Sequence, residues 1–344
     1  MGNLSTLLQT YRPEEVGFLR SEALGTSAIL VIHSTKMGPA LGGIRLLPYP
    51  TEMEALEDAL RVAEAMTYKA AVTGLPCGGG KLIVLEPQEL DRKALFQWLG
   101  EKVESYGGRF FTGRDAGVTH EDIQTMRGVT RHAVDERPEQ VGNLDWYTAL
   151  GIVEAMKACR HFLEGTQSLK GIRVAVQGVG NVGRELCDAL NNEGARLVVA
   201  DIHRQRAQEA ARVWNAEIVA PDEIMDVDAD ILAPCAVSRT VTRDTAPAIR
   251  AGIVCGSAND MLDSLETGDL LFERSIVYAP DFVANAGALI QAGSFYLLGR
   301  KENSDRVRAI YYTVEEILQE SQGKRKAPHR VALDIARSHL ADRP

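Results

Sequence analysis

Residues 172–201 constrain the fold more than any other stretch of the chain. The apolar run Ile172-Arg173-Val174-Ala175-Val176-Gln177 leads into Gly178-Val179-Gly180-Asn181-Val182-Gly183. A helical pattern follows to about Asn191, and the run Arg196–Ala200 ends at Asp201. A strand, a GxGxxG turn, a helix, a second strand and an acid in this order make one half of a doubly wound parallel sheet that binds a dinucleotide. Gly178 permits the tight turn, Gly180 lets a pyrophosphate approach the backbone, and Gly183 lets the helix close on the strand. The helix start at Asn181 and Val182 offers N–H groups and the positive end of a dipole to phosphate. Asp201 would accept hydrogen bonds from the adenosine ribose and repel a 2′-phosphate, which favours NAD over NADP. Arg204 and Arg206 nearby pull the other way.

Further strands are expected at 231–233, 253–255 and 275–278, each followed by small or polar residues, as such a sheet requires. The preceding residues follow another pattern. A strand is expected at 28–33, a helix at 52–68 with Leu56, Ala59, Leu60, Ala63 and Met66 on one face, and a buried strand at 82–85. Asp91 caps a helix running to Ser105. Phe110 and Phe111 form a short strand with Thr112-Gly113-Arg114-Asp115 at its carboxyl end, where ligands gather in sheet proteins. One more short helix covers 121–128, and the loop around Pro138 and Gly142 links to a long helix over 148–162. At 344 residues the chain exceeds one ordinary core. The expected architecture is therefore α/β in two domains with a cleft between them. Residues 1–145 form a substrate domain and 146–305 a Rossmann domain, with helices over 306–344 packing back on the first.

The first domain holds the stretch with most chemical character, Gly38 to Lys81. It reads as a small-residue loop (Gly38-Pro39-Ala40-Leu41-Gly42-Gly43), the helix at 52–68, Lys69, and a second glycine loop (Gly78-Gly79-Gly80) presenting Lys81. A lysine among apolar residues loses solvation of its charged form, so its pKa falls and it can serve as a base near neutral pH. Spacing alone leaves open two solvated lysines beside two ordinary turns.

The sequences GPALGGIR, MTYK and GGGK, in this order, resemble the amino-acid dehydrogenases of the glutamate/leucine/phenylalanine/valine group, above all the leucine and phenylalanine branch. The resemblance continues through TGRDAGVT at 112–119, VAVQGVGNVG at 174–183, GSAND at 256–260 and YAPDFVANAGALI at 278–290. It implies NAD-dependent, reversible oxidative deamination of an L-amino acid to the 2-oxo acid and ammonia. Lys69, with backbone around Gly42 and Gly43, would anchor the substrate carboxylate. Lys81 would activate water and Asp115 relay the amine proton, while Thr148, Asn259 and Asn285 would contact nicotinamide, its ribose or substrate. Domain closure would exclude water from the cleft. Three positions depart from the pattern: Arg114 where glutamate is common, Asp260 where asparagine is common, and Asp145-Trp146-Tyr147 ahead of Thr148. The resemblance lines the side-chain pocket with Leu41, Gly113, Leu289 and Ala292. Gly113 and Ala292 leave volume suited to a planar ring, so an aromatic substrate such as Phe or Trp is expected. The alternatives are a leucine/valine dehydrogenase and a catalytically silent NAD-binding regulator. Relatives of this kind are oligomers, which implies a homo-oligomer.

A net charge of −9 argues against nucleic acid or an anionic membrane surface as partner. The chain has no apolar run of membrane-spanning length, and a cytoplasmic location is expected. Cys77, Cys159, Cys187, Cys235 and Cys255 are scattered, without a CxxC pair, and the seven histidines form no HxxxH or HxH pattern. Neither a disulfide framework nor a metal site is expected.

Overall fold

A computed structural model describes residues 3–85, 90–236 and 238–341. The chain divides into two compact units. The first comprises Met1–Asn143, Ala292–Glu302 and Ala336–Pro344, and the second Leu144–Gln291 and Asn303–Ile335. By this division residues 303–335 of the C-terminal segment fall in the second unit and 336–341 in the first. Residues 306–335 lie in the second unit, because the helix Ile310–Lys324 buries Ile310, Val314, Ile317 and Leu318 within it.

The first unit is built on a five-stranded sheet of β1 (Glu15–Ser21), β2 (Thr26–Ser34), β3 (Ala40–Leu47), β4 (Gly78–Leu85) and β5 (Phe110–Arg114). The spatial order is β1-β2-β4-β3-β5; β3, β4 and β5 run parallel, and β1 and β2 pair antiparallel. Side chains alternate across a strand, so each sheet face gathers its own core. Leu30, Ile32, Leu82, Val84 and Phe110 pack with Phe96 and Leu99 of the helix Arg92–Ser105. On the opposite face Ile29, Val31 and Ile83 meet Leu56, Ala59, Leu60 and Ala63 of the helix Glu52–Val72. Burying each large apolar side chain contributes roughly 1.5–3 kcal/mol relative to exposure.

Two expectations from the sequence are corrected here. Neither glycine-rich stretch is chiefly a loop: Ala40–Gly43 belong to β3 and Gly78–Gly80 to β4. The glycines serve close packing instead of a turn. A Cβ at Gly79 would lie 2.2 Å from Thr67 N and 2.4 Å from Ala63 O, so only glycine lets the helix Glu52–Val72 press onto β4. That helix is also longer than its apolar pattern suggested; it starts on the Thr51 cap and carries Lys69 within its last turn.

The second unit contains a six-stranded parallel sheet. Its strands are β6 (Arg173–Gln177), β7 (Arg196–Ala200), β8 (Glu217–Ile218), β9 (Ile231–Pro234), β10 (Ile253–Val254) and β11 (Val277–Tyr278). The order β11-β10-β9-β6-β7-β8 reverses direction at β6, as in a doubly wound dinucleotide-binding domain. The two-residue strand β8 had no periodic signal. The long helix begins at Leu144, taking Asp145–Tyr147 into its first turn.

Replacing Gly79 by Ala should cost several kcal/mol of stability in denaturant titration, since backbone and not a mobile side chain blocks the new methyl. Gly323→Ala, in a helix and facing open space, should instead gain up to about 1 kcal/mol.

Candidate active site

Period-two alternation puts the chemistry on one face of the first sheet. Leu41, Gly43 and Arg45 of β3 share a face with Gly79 and Lys81 of β4 and with Phe111 and Gly113 of β5. Asp115, immediately after β5, continues that face. Gly43 pairs with Gly113, so β3 lies between Lys81 and Asp115 and offers no side chain there. A Cβ at Gly43 would come within 2.8 Å of the Asp115 Cβ. Through this gap the Lys81 ammonium donates to Asp115 Oδ2.

Lys81 is 2% exposed, and burial lowers its pKa, partly opposed by the charge of Asp115. Burial alone would raise the Asp115 pKa, but Lys81 and Arg45 outweigh it and hold the carboxyl well below its ordinary range. Arg45 Nε lies 3.2 Å from Asp115 Oδ2, and its Nη1 donates to Asp58 Oδ2 at 2.7 Å. Asp58, on the covering helix, also accepts from the Tyr49 hydroxyl at 2.6 Å and from Arg61 at 2.5 Å. Arg45 and Asp58 did not stand out in the sequence. Their signal was a charged residue at an inward position of the otherwise apolar run Ala40–Leu47.

Lys69 is buried on the same covering helix. Leu41 and Ala292 are buried in the first unit, where a Cβ at Gly293 would lie 3.6 Å from the Leu41 and Leu75 side chains. Gly113 faces Val134, whose Cβ is 3.3 Å from where an alanine methyl would sit. Leu289 is buried but lies in the portion of the helix Gly287–Leu298 that belongs to the second unit. Cys77 is buried, and burial pushes its thiol up to about 12, which leaves no thiolate near neutral pH.

In the second unit the three glycines divide their work. Gly178 has φ +92° and a Cβ there would strike Ala236; at Gly183 it would meet Gly178 O at 2.2 Å. At Gly180 it would meet nothing within 4 Å. Gly180 caps the helix Asn181–Asn192 without a side-chain hydrogen bond. Asp201 Oδ2 accepts from Val179 N at 2.8 Å and Oδ1 from His203 N at 2.7 Å, so the acid also fixes the glycine turn. Thr148 donates to Leu144 O at 3.0 Å. Asn285 donates to Asn259 Oδ1 at 3.0 Å and to Ser257 O at 3.2 Å, while its own Oδ1 is buried without a hydrogen-bond partner.

The departures find partners of their own. Arg114 makes a two-pronged contact with Glu136 at 3.1 and 3.0 Å. Asp260 pairs with Arg239 at 3.3 Å. Trp146 and Tyr147 stack edge to face, 4.9 Å between ring centres. Among the described residues there is no group of His, Cys, Asp and Glu able to hold a metal, and no helix long and apolar enough to cross a membrane.

Residues 20–136 match the family described as Glu/Leu/Phe/Val dehydrogenase, dimerisation domain, and residues 199–329 match Glutamate/Leucine/Phenylalanine/Valine dehydrogenase. A leucine dehydrogenase of Bacillus cereus is 39% identical over 338 residues, covering 97% of this chain and 92% of that protein. A phenylalanine dehydrogenase of Lysinibacillus sphaericus is 38% identical over 333 residues, covering 93% and 87%. The crystal structure of L-tryptophan dehydrogenase from Nostoc punctiforme superposes with a TM-score of 0.83 at 34% identity, covering 98% of this chain and 99% of that one.

Asp115→Asn leaves the Lys81 ammonium buried without its carboxylate, which should destabilise the protein by about 3 kcal/mol at pH 7. Losing the carboxylate disfavours the protonated form of Lys81 in the folded state more than in the unfolded one, so the loss should shrink as pH rises towards the ordinary lysine value. Denaturant titrations at pH 7 and pH 10 check this.

Proposed function

Because the chain belongs to the glutamate/leucine/phenylalanine/valine dehydrogenase family, we propose that Lys81 and Asp115 carry its proton transfers and that its preferred substrate is aromatic. The enzyme is an NAD-dependent L-amino-acid dehydrogenase. It converts an L-amino acid, NAD and water to a 2-oxo acid, ammonium, NADH and a proton.

The buried Lys81–Asp115 contact carries the assignment of roles. A lysine whose pKa is lowered by burial gives up its proton more readily than an ordinary one, which suits it to take a proton from water attacking the imine carbon. Asp115, held ionised, accepts a hydrogen bond from the substrate amine and passes its proton onward instead of retaining it. Lys69, with backbone at Gly42 and Gly43, anchors the substrate carboxylate. The second unit suits a dinucleotide: Gly180 faces open space, and the helix that it caps has no side-chain cap. Gly178, Gly180, Asn181, Val182 and Gly183 would hold the pyrophosphate, and Asp201 the adenosine ribose. Thr148, Asn259 and Asn285 would take the nicotinamide side, to which Asn285 Oδ1 offers a buried, unused acceptor. NAD supplies the hydride acceptor when bound.

The aromatic preference rests on Gly113 and Ala292, where small residues leave room for a ring, with Leu41 adding to the apolar lining. Relatives named for leucine, phenylalanine and tryptophan bracket the choice, and leucine or valine is the second reading. The active protein is a homo-oligomer in this reading, supported by the dimerisation-domain description of residues 20–136. Five free thiols fit a cytoplasmic location.

Lys81→Ala should lower turnover by at least about 100-fold while leaving NADH binding intact; turnover within tenfold of the parent would refute the base assignment. Gly113→Ala should lower the ratio of kcat/KM for Phe over Leu by about tenfold or more. An unchanged ratio would place the side-chain pocket elsewhere.

A further inference from the structure

The Lys81–Asp115 pair poses a chemical problem that its two members do not solve. When Lys81 gives up its proton to act as a base, Asp115 loses the cation that stabilises its charge. A carboxylate left alone at a half-buried site tends to take up a proton and stop accepting hydrogen bonds. Arg45 removes this difficulty. Its guanidinium sits 3.2 Å from the same Oδ2 that Lys81 contacts, and it stays protonated at every working pH.

Arg45 is itself braced from behind. Asp58 takes its Nη1 at 2.7 Å, and the Tyr49 hydroxyl and Arg61 occupy Asp58 from two further directions. The charged groups around the Lys81–Asp115 pair therefore come from β3, which carries Arg45, and from the helix Glu52–Val72, where Asp58 braces Arg45 and is itself paired with Arg61. That helix also carries the buried Lys69. Arg114, the sequence neighbour of Asp115, is drawn away by Glu136.

We infer that Arg45, fixed by Asp58 and Tyr49, is the positioning residue that keeps Asp115 ionised and aimed at the site while Lys81 gains and loses its proton. Arg45 touches neither water nor substrate in this scheme; it acts on Asp115 by contact and on Lys81 by its charge. Its positive charge also disfavours the charged form of Lys81, whereas the negative charge of Asp58 favours it. The two residues thus set the protonation of Lys81 in opposite directions.

That opposition makes a test that a merely structural ion pair would not pass. The inference rests on Lys81 being the base, so the acid limb of the kcat/KM–pH profile is measured in the parent enzyme and four variants with NAD and phenylalanine. Arg45→Met should move the limb upward by about one pH unit, and Asp58→Asn should move it downward. The double variant removes one charge of each sign and should return close to the parent. Arg45→Lys keeps the cation and should shift the limb less than Arg45→Met. If Arg45→Met fails to fold, the downward shift of Asp58→Asn against a near-parental limb in Arg45→Lys still decides the matter. Equal loss of activity at every pH, with no opposed shifts, overturns the positioning role. Turnover that survives Lys81→Ala overturns the base assignment itself, so the two failures are distinguishable.

Discussion

One ion pair organises the first unit: the Lys81 ammonium against the Asp115 carboxylate, meeting across a strand that has no side chain at Gly43. Burying a charge pair is costly, and the attraction between its members repays that cost only with good geometry and further hydrogen bonds. The surrounding structure supplies both. β3 is thinned to glycine where the pair must cross it, and Arg45 and Asp58 surround the carboxylate with fixed, opposed charges. The helix Glu52–Val72 lies over the face that carries Lys81, which is almost fully buried, and Gly79 lets that helix lie close to β4. The interior is thus arranged so that burial disfavours the charged form of Lys81, while Lys81 and Arg45 favour the charged form of Asp115.

The second unit solves a different problem, the binding of a long polar cofactor, with few side chains. Two glycines of the turn are tied to their own fold, by a positive φ at Gly178 and close packing at Gly183. The one between them faces outward. Asp201 holds the turn through Val179 N, and the helix start presents its N–H groups. Backbone geometry, more than side-chain identity, makes this unit a dinucleotide domain.

The second unit was readable from the sequence because its signals are local. A strand, a glycine turn and a helix follow one another within 172–192, and Gly178 and Gly183 turn and pack as their positions suggest. The first unit was less readable because its decisive contacts are not local. Gly78–Gly80 looked like a turn, since glycine usually marks one, yet close approach of a helix demands them in a strand. Lys81 and Asp115 could be named from family resemblance, but the Arg45–Asp58 brace joins β3 to the helix after it and has no spacing signature. The stretch up to Gly43 read as a loop, so the inward place of Arg45 became visible only with the strand Ala40–Leu47. The departure at Arg114 was also undecidable by sequence, because its partner Glu136 lies in a later loop.

The central claim is that Lys81 titrates low beside a carboxylate that remains ionised. Titration of Lys81 by carbon-13 NMR, with the ε-carbons of lysine labelled and the signal assigned by its loss in Lys81→Ala, tests this most directly. The account predicts a Lys81 midpoint below the ordinary lysine value. A midpoint at or above that value would contradict it, since the ammonium would then be a fixed structural cation and not a base.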